Sequence, residues 1–109
     1  MNIKSRSFHD HLIRSLTEAE AQLVYCFAGL RKLIDDKGAV AAAIQLLDIS
    51  RAVQEQDGFT ILAENNLLHL SLEQAVIDFA ESGLFPASII ASARSRLLLA
   101  KNRMKRRAK

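Results

Sequence analysis

The sequence predicts an all-α protein, an intertwined helical homodimer with a long N-terminal helix and about four to five helices per chain. Three observations carry that prediction. One Pro and four Gly in 109 residues leave room for long helices and few turns. The apolar half of the chain is mostly Leu, Ala, Ile and Val, with few aromatics and no Trp. Leu12, Leu16, Ala19, Leu23, Cys26, Leu30 and Leu33 recur at alternating spacings of 4 and 3, an a/d seam of about three heptads.

Taken in order, Met1 to Arg6 are expected to be loose. A spine helix then runs from about residue 8 to Ile34. Thr17 with Glu20 resembles a capping box, and Ser7 with Asp10 a weaker one, so a short helix could stop near Leu16 and a second start at Thr17. The heptad passes straight through Thr17, which favours the continuous helix. Ile13, Phe27 and Ile34 widen the seam on one flank. In so short a chain a helix of this length cannot cover its own stripe. Leu12, Leu16, Leu23, Phe27, Leu30, Leu33 and Ile34 are therefore read as the dimer interface.

Gly38 is a natural residue just beyond the end of the spine. A second helix, about 39–55, would bury Val40, Ala43, Ile44, Leu47 and Val53 and break at Asp57-Gly58. Phe59 to Leu70 reads two ways, as a hairpin turning at 63–66 or as a short helix capped by Asp57 and ended by Asn65-Asn66. Ala63 and Glu64 are poor strand residues, which favours the helix. Ser71 with Gln74 forms a capping box for LEQAVIDFAES, ended by Gly83. Leu72, Ala75, Val76 and Phe79 should face inward, and Glu73, Asp78 and Glu81 outward. Pro86 suits the first turn of a last helix, about 86–104, with Ile90, Ala93, Leu97, Ala100 and Met104 as its seam. Residues 1–109 form one domain, and 86–109 its basic C-terminal helix and tail.

The net charge of +3 hides a division. Residues 1–85 hold seven Lys/Arg against twelve Asp/Glu, whereas 86–109 hold eight Lys/Arg and no acid. Such asymmetry speaks of partners. A helix with one apolar seam and this many cations can lie along a phosphate backbone, each neutralised phosphate releasing a counterion. Arg94, Arg96, Lys101, Arg103, Lys105, Arg106 and Arg107 are the candidate DNA-binding residues. A solubilising tail or an anchor for an acidic partner would look the same in composition. A membrane-surface helix fits less well, because the segment lacks the bulky aromatics that seat one.

Other chemistry finds little support. His9 and His11 are two residues apart and point about 200° apart on a helix, whereas a zinc pair wants i, i+4. His69, among leucines, is expected to be partly buried with a hydrogen-bond partner, and Cys26 to fill a core d position. The one cysteine excludes an intrachain disulfide and a cysteine-based zinc site, and suits a reducing, cytoplasmic setting. No run of 18 apolar residues or signal-peptide core is present. There is no G-x-S-x-G, no Gly-rich phosphate loop and no carboxylate pair in an apolar context. No catalytic residue, metal site or cofactor is expected in this chain, and an enzyme is not expected. A helix-turn-helix drawn from FTILAE and LEQAVIDFAES would present Glu73, Asp78 and Glu81 to phosphates, which argues against it as a groove reader.

Leu23, Tyr25, Arg31, Asp36 and Lys37 within the spine, the segment LAENNLL (Leu62 to Leu68), and SRLLL (Ser95 to Leu99) before a basic end form a pattern. The pattern resembles the FlhD family, the smaller subunit of the bacterial flagellar master activator, whose relatives on conjugative elements control transfer genes. The likeness covers roughly residues 20–105, and LAENNLL is similar to that family's L-A-E-x-N-x-L. It implies an all-α intertwined homodimer that joins a larger zinc-binding, FlhC-like subunit and reaches promoter DNA through the complex. It implies that Asp36, Lys37 and Asn66 lie near partner or subunit contacts, and that FTILAE is helical. The family's usual cysteine after L-A-E falls at Leu70 here, so an interchain disulfide at that point is absent. A protein-interaction module, an anti-activator or secretion chaperone without DNA contact, is the alternative function.

Overall fold

A computed structural model describes the backbone of residues 3–48 and 57–107, and the side chains of these except 57–58 and 104–107. The described residues hold six α-helices and two short 3-10 turns, joined by short connections, and contain no strand. The helices are α1 (Ile3–Gln22), α2 (Ala28–Lys37), α3 (Ala39–Leu47), α4 (Asp57–Glu64), α5 (Leu72–Asp78) and α6 (Ala87–Arg107).

α1 begins at Ile3, within the stretch Met1 to Arg6 expected to be loose, and passes unbroken through Thr17. It buries Phe8, Leu12, Leu16 and Ala19, one stripe at helical spacing. The continuous spine to Ile34 is not what forms. α1 ends at Gln22, residues 23–27 make a corner, and α2 starts at Ala28. Val24, Tyr25 and Phe27 are β-branched or aromatic and lose side-chain freedom in a helix, so the run 24–27 is a weak place in the heptad. At the corner Phe27 turns into the core, where Tyr25 meets it edge-on at 5.0 Å, while Val24 points fully into solvent.

Gly38 joins α2 to α3. Its N–H caps Ile34 O at 2.7 Å, its own carbonyl accepts from Ala42, and its φ of 89° is one that a side chain would strain. α3 is largely alanine, and Ala39, Ala42, Ala43 and Leu47 are buried. These small side chains let α3 sit close to α1, α2, α5 and α6. The expected extension of α3 to residue 55, with Val53, lies outside the described residues.

α4 confirms the helical alternative for FTILAE. Asn66 ends it in a left-handed conformation at φ 59°, with Leu67 N–H bonded to Leu62 O and Asn66 N–H to Ala63 O, the paired bonds of a Schellman turn. A 3-10 turn at Leu68–Leu70 follows, where a hairpin would have placed its second strand. Ser71 Oγ accepts from Gln74 N–H at 3.1 Å, so half of the expected capping box forms. The Gln74 side chain instead donates to Asp78 Oδ1, and Ser71 N–H is taken by Leu68 O. After a 3-10 turn at Ala80–Ser82, Gly83 reverses the chain at φ 83°, ψ 2°. Pro86 O then accepts from Ile89 and Ile90 as α6 opens.

The core gathers around Phe8, whose ring meets Phe85 at 4.9 Å and Phe79 at 5.4 Å, both edge-on. Lys4 Nζ donates to Ser82 O at 3.0 Å and pins the start of α1 to the same segment. A smaller apolar cluster of Leu68, Leu97 and Ala100, with Phe59 and Ala63 against it, fastens α4 to α6. The radius of gyration, 13.4 Å, is close to the ~13 Å of a folded domain this size, so the chain is closed on itself and is no rod.

Candidate functional site

α6 is the element that collects the chain's positive charge. Its inner stripe, Ile89, Ala93, Leu97 and Ala100, is buried, close to the expected seam, while Ile90 is half-buried. Arg94, Lys101 and Arg103 are exposed, as a phosphate-contacting role requires. Lys105, Arg106 and Arg107 continue the helical backbone, and their side chains lie outside the described ones.

Arg96 departs from that set. It sits on the inner side between Ala93 and Ala100, with only 14% of its side chain exposed. Its Nη1 donates to Glu73 Oε2 at 3.2 Å and its Nη2 to Leu46 O at 3.1 Å. One guanidinium thus ties α6 to α5 and to the end of α3. Glu73, expected to face outward, is corrected by the same pair, since only 3% of its side chain is exposed. Burial pushes the Glu73 carboxyl above its usual range, and the nearby Arg96 charge only partly opposes the shift. The signal was available in α6: position 96 follows 89 and 93 at helical spacing and precedes 100, so an arginine there must carry its charge inward. Nothing in α5 alone marked Glu73 as its partner.

A second ionic cluster holds the corner between α1 and α2. Arg31 Nη2 donates to Glu20 Oε1 at 2.7 Å and Nε to Oε2 at 3.2 Å, a two-pronged fork, and Nη2 also reaches Thr17 Oγ1 at 3.1 Å. Glu20 Oε2 also accepts from Phe27 N–H at 2.9 Å, which satisfies a backbone donor at the start of α2. The Arg31 hydrogen bonds hold the Glu20 carboxyl below its usual range, against the opposing effect of burial, and the Phe27 N–H adds to the lowering. Thr17 and Glu20, read from the sequence as a capping box, serve this corner instead.

The residues expected to face a second copy are drawn into the chain's own core. Leu12, Leu16, Phe27 and Ile34 are buried, and Leu23, Leu30 and Leu33 are half-buried against the same cluster. With the chain turned at residue 23, α3 packs against both α1 and α2, and α5 and the Leu68–Leu70 turn add to the cover over α1.

Asp36 and Lys37 are exposed at the end of α2, where Lys37 Nζ donates to Gln45 Oε1 across the turn. Asn66 is exposed and acts as the left-handed residue closing α4. The three do not share an element. Cys26 is exposed at the corner, not in a core d position, because the helix that would have carried it inward has ended. His69 is also exposed, since its 3-10 turn directs Leu68 and Leu70 to the core instead. His9 Nδ1 lies 3.2 Å from Asp10 Oδ1, whereas His11 Nε2 lies 3.2 Å from Asp78 Oδ2, with its ring 5.5 Å from Phe79. The two histidines thus diverge. Among the described residues no group of three His, Cys, Asp or Glu could hold a metal ion, and no helix is long and apolar enough to cross a membrane. Comparison with family models, with curated proteins and with solved structures finds no match to the chain.

Proposed function

We propose that this chain is a non-catalytic subunit of a transcription activator, meeting promoter DNA through the cationic end of α6 in concert with a larger zinc-binding partner. The observation that carries the reading is the charge of residues 86–109, eight cations and no acid, on a segment that is mostly one continuous helix with Arg94 and Lys101 in solvent. Flagellar or conjugative-transfer genes are the targets suggested by the resemblance to the FlhD family. Asp36, Lys37 and Asn66 are candidate contacts with the partner on the same ground. Arg96 leaves the phosphate-binding set because Glu73 and Leu46 O already hold it. The homodimer belongs to the same reading on the ground of the resemblance; within the single chain Leu12 and Leu16 are buried.

The test is binding of the chain, alone and with the partner, to duplex DNA over a series of salt concentrations. Arg94→Ala and Lys101→Ala should each weaken binding across all sequences and reduce the slope of log K against log salt by about 1. Unchanged affinity and slope in both variants would remove α6 from the mechanism.

A second reading, a protein-interaction module with no DNA contact, is favoured by one feature. Leu98 and Leu99 are 61% and 58% exposed beside those cations, and phosphate has no use for them. Retention of a regulatory or secreted protein without retention on heparin or DNA would select it.

A further inference from the structure

The side of α6 turned away from the core has a pattern of its own. At about 100° per residue, the buried Ile89, Ala93, Leu97 and Ala100 define the inner side. Opposite them lie Ala87, Ala91, Ser95, Leu98 and Asn102, all exposed, with Leu99 on one flank. No charged residue falls on that outer side between 87 and 102, although this helix belongs to the most cationic part of the chain. The charges form a rim along one edge, Arg94 and Lys101. The face from 87 to 102 is about 24 Å long, the length of a short docked helix.

An uncharged ridge with two exposed leucines, edged by Arg94 and Lys101, complements a helix whose apolar ridge is edged by carboxylates. We propose that the outer face of α6 docks an acidic amphipathic helix of a partner protein, with Leu98 and Leu99 as its anchor. The proposal names the partner's chemistry for the protein-interaction reading that Leu98 and Leu99 favour, and rests on that reading, with Arg94 and Lys101 facing carboxylates in place of phosphate. A second copy of this chain fits the face less well, because antiparallel pairing of two α6 helices brings the Arg94 and Lys101 edge of one against the same edge of the other. A nucleic acid could pair with the rim, but it would leave both leucines in water.

The probe is a synthetic two-heptad peptide, about 21 Å as a helix, with Leu at a and d and Glu at e and g, alongside a matched peptide with Lys replacing Glu. Titrated with the full chain by fluorescence anisotropy, the Glu peptide should bind at least ~10-fold tighter than the Lys peptide and weaken as salt rises. The charge-neutral variant Leu98→Ser with Leu99→Ser should lose ~10-fold or more of that affinity. Its circular dichroism should match the parent, since both side chains already face solvent. Alanine at Lys105, Arg106 and Arg107, beyond the 87–102 face, should leave peptide affinity within ~3-fold, whereas the DNA reading expects these substitutions to remove duplex affinity.

Equal binding of the two peptides, or an unchanged affinity in the leucine variant, would overturn the proposal. So would a dimer in sedimentation equilibrium that the leucine variant abolishes while the peptide stays unbound, which would assign the face to a second copy. Loss of duplex affinity in the leucine variant without loss of peptide affinity would assign it to nucleic acid.

Discussion

Arg96→Met tests whether α6 is held to the body by a buried ion pair. The substitution keeps most of the aliphatic stem and removes the guanidinium, leaving Glu73 with 3% of its side chain exposed and no counter-charge, and Leu46 O without its donor. Removing one partner of a buried pair costs about 3–5 kcal/mol, much of it the penalty on the charge left behind. At about 4–8 °C per kcal/mol for a domain of this size, the melting temperature should fall by at least ~12 °C. Glu73→Leu combined with Arg96→Met removes both charges and should recover most of the loss, short of about 1 kcal/mol for the orphaned carbonyl. Urea unfolding of the single and double variants, followed by circular dichroism, completes the cycle. An Arg96→Met protein within ~1 kcal/mol of the parent, or a double variant as damaged as the single, would refute the account of this pair. The same variant separates stability from recognition, because any loss of DNA binding at Arg96 should follow the unfolded fraction, whereas at Arg94 it should not.

Two further outcomes follow from the geometry. The Glu20 carboxyl is lowered in the folded state, so its stabilisation is present above its unfolded pKa and is lost as pH falls through the folded one. Glu73 is raised, so its contribution is present below the unfolded pKa and is lost as pH rises through the folded one. Stability measured through the acidic range should therefore lose part of its acid-side decline in Glu20→Gln and steepen that decline in Glu73→Gln; the same pH dependence in both variants would contradict the assignments. Gly83→Ala meets no atom within 4 Å of the added carbon, so the cost should be backbone strain alone at φ 83°, about 1–2 kcal/mol by thermal or urea denaturation. A neutral effect there would mean that the turn relaxes.

Much of the secondary structure was legible because its causes are local. The stripe of Leu12, Leu16 and Ala19, the cap at Ser71, the reversals at Gly38 and Gly83 and the start of α6 behind Pro86 depend on spacing, capping chemistry and φ preferences within a few residues. Helix rather than hairpin at 57–64 rested on residue preference in the same way. The seam from Leu12 to Leu33 was real as a set of apolar positions and misleading as a line. Heptad spacing states which residues want burial, and it is silent on whether a second chain or a fold-back supplies the cover. The corner at 23–27 decides this, and Glu20, Arg31 and Thr17 stabilise it over a span of 14 residues in sequence.

The charge division was determined by the sequence alone, and with it the concentration of cations on the last helix. Which of those cations meet water is a matter of helix facing, and for Arg96 it depended on a carboxylate 23 residues away on α5. Glu73 stood on α5 among residues that could as well have faced out, and packing against α6 turned it in. Short-range preference sets where helices begin and end. The pairing of a buried charge, and the choice of which apolar face stays outside, emerge only when the helices close on one another, because burial is a property of the assembled chain and not of any single stretch.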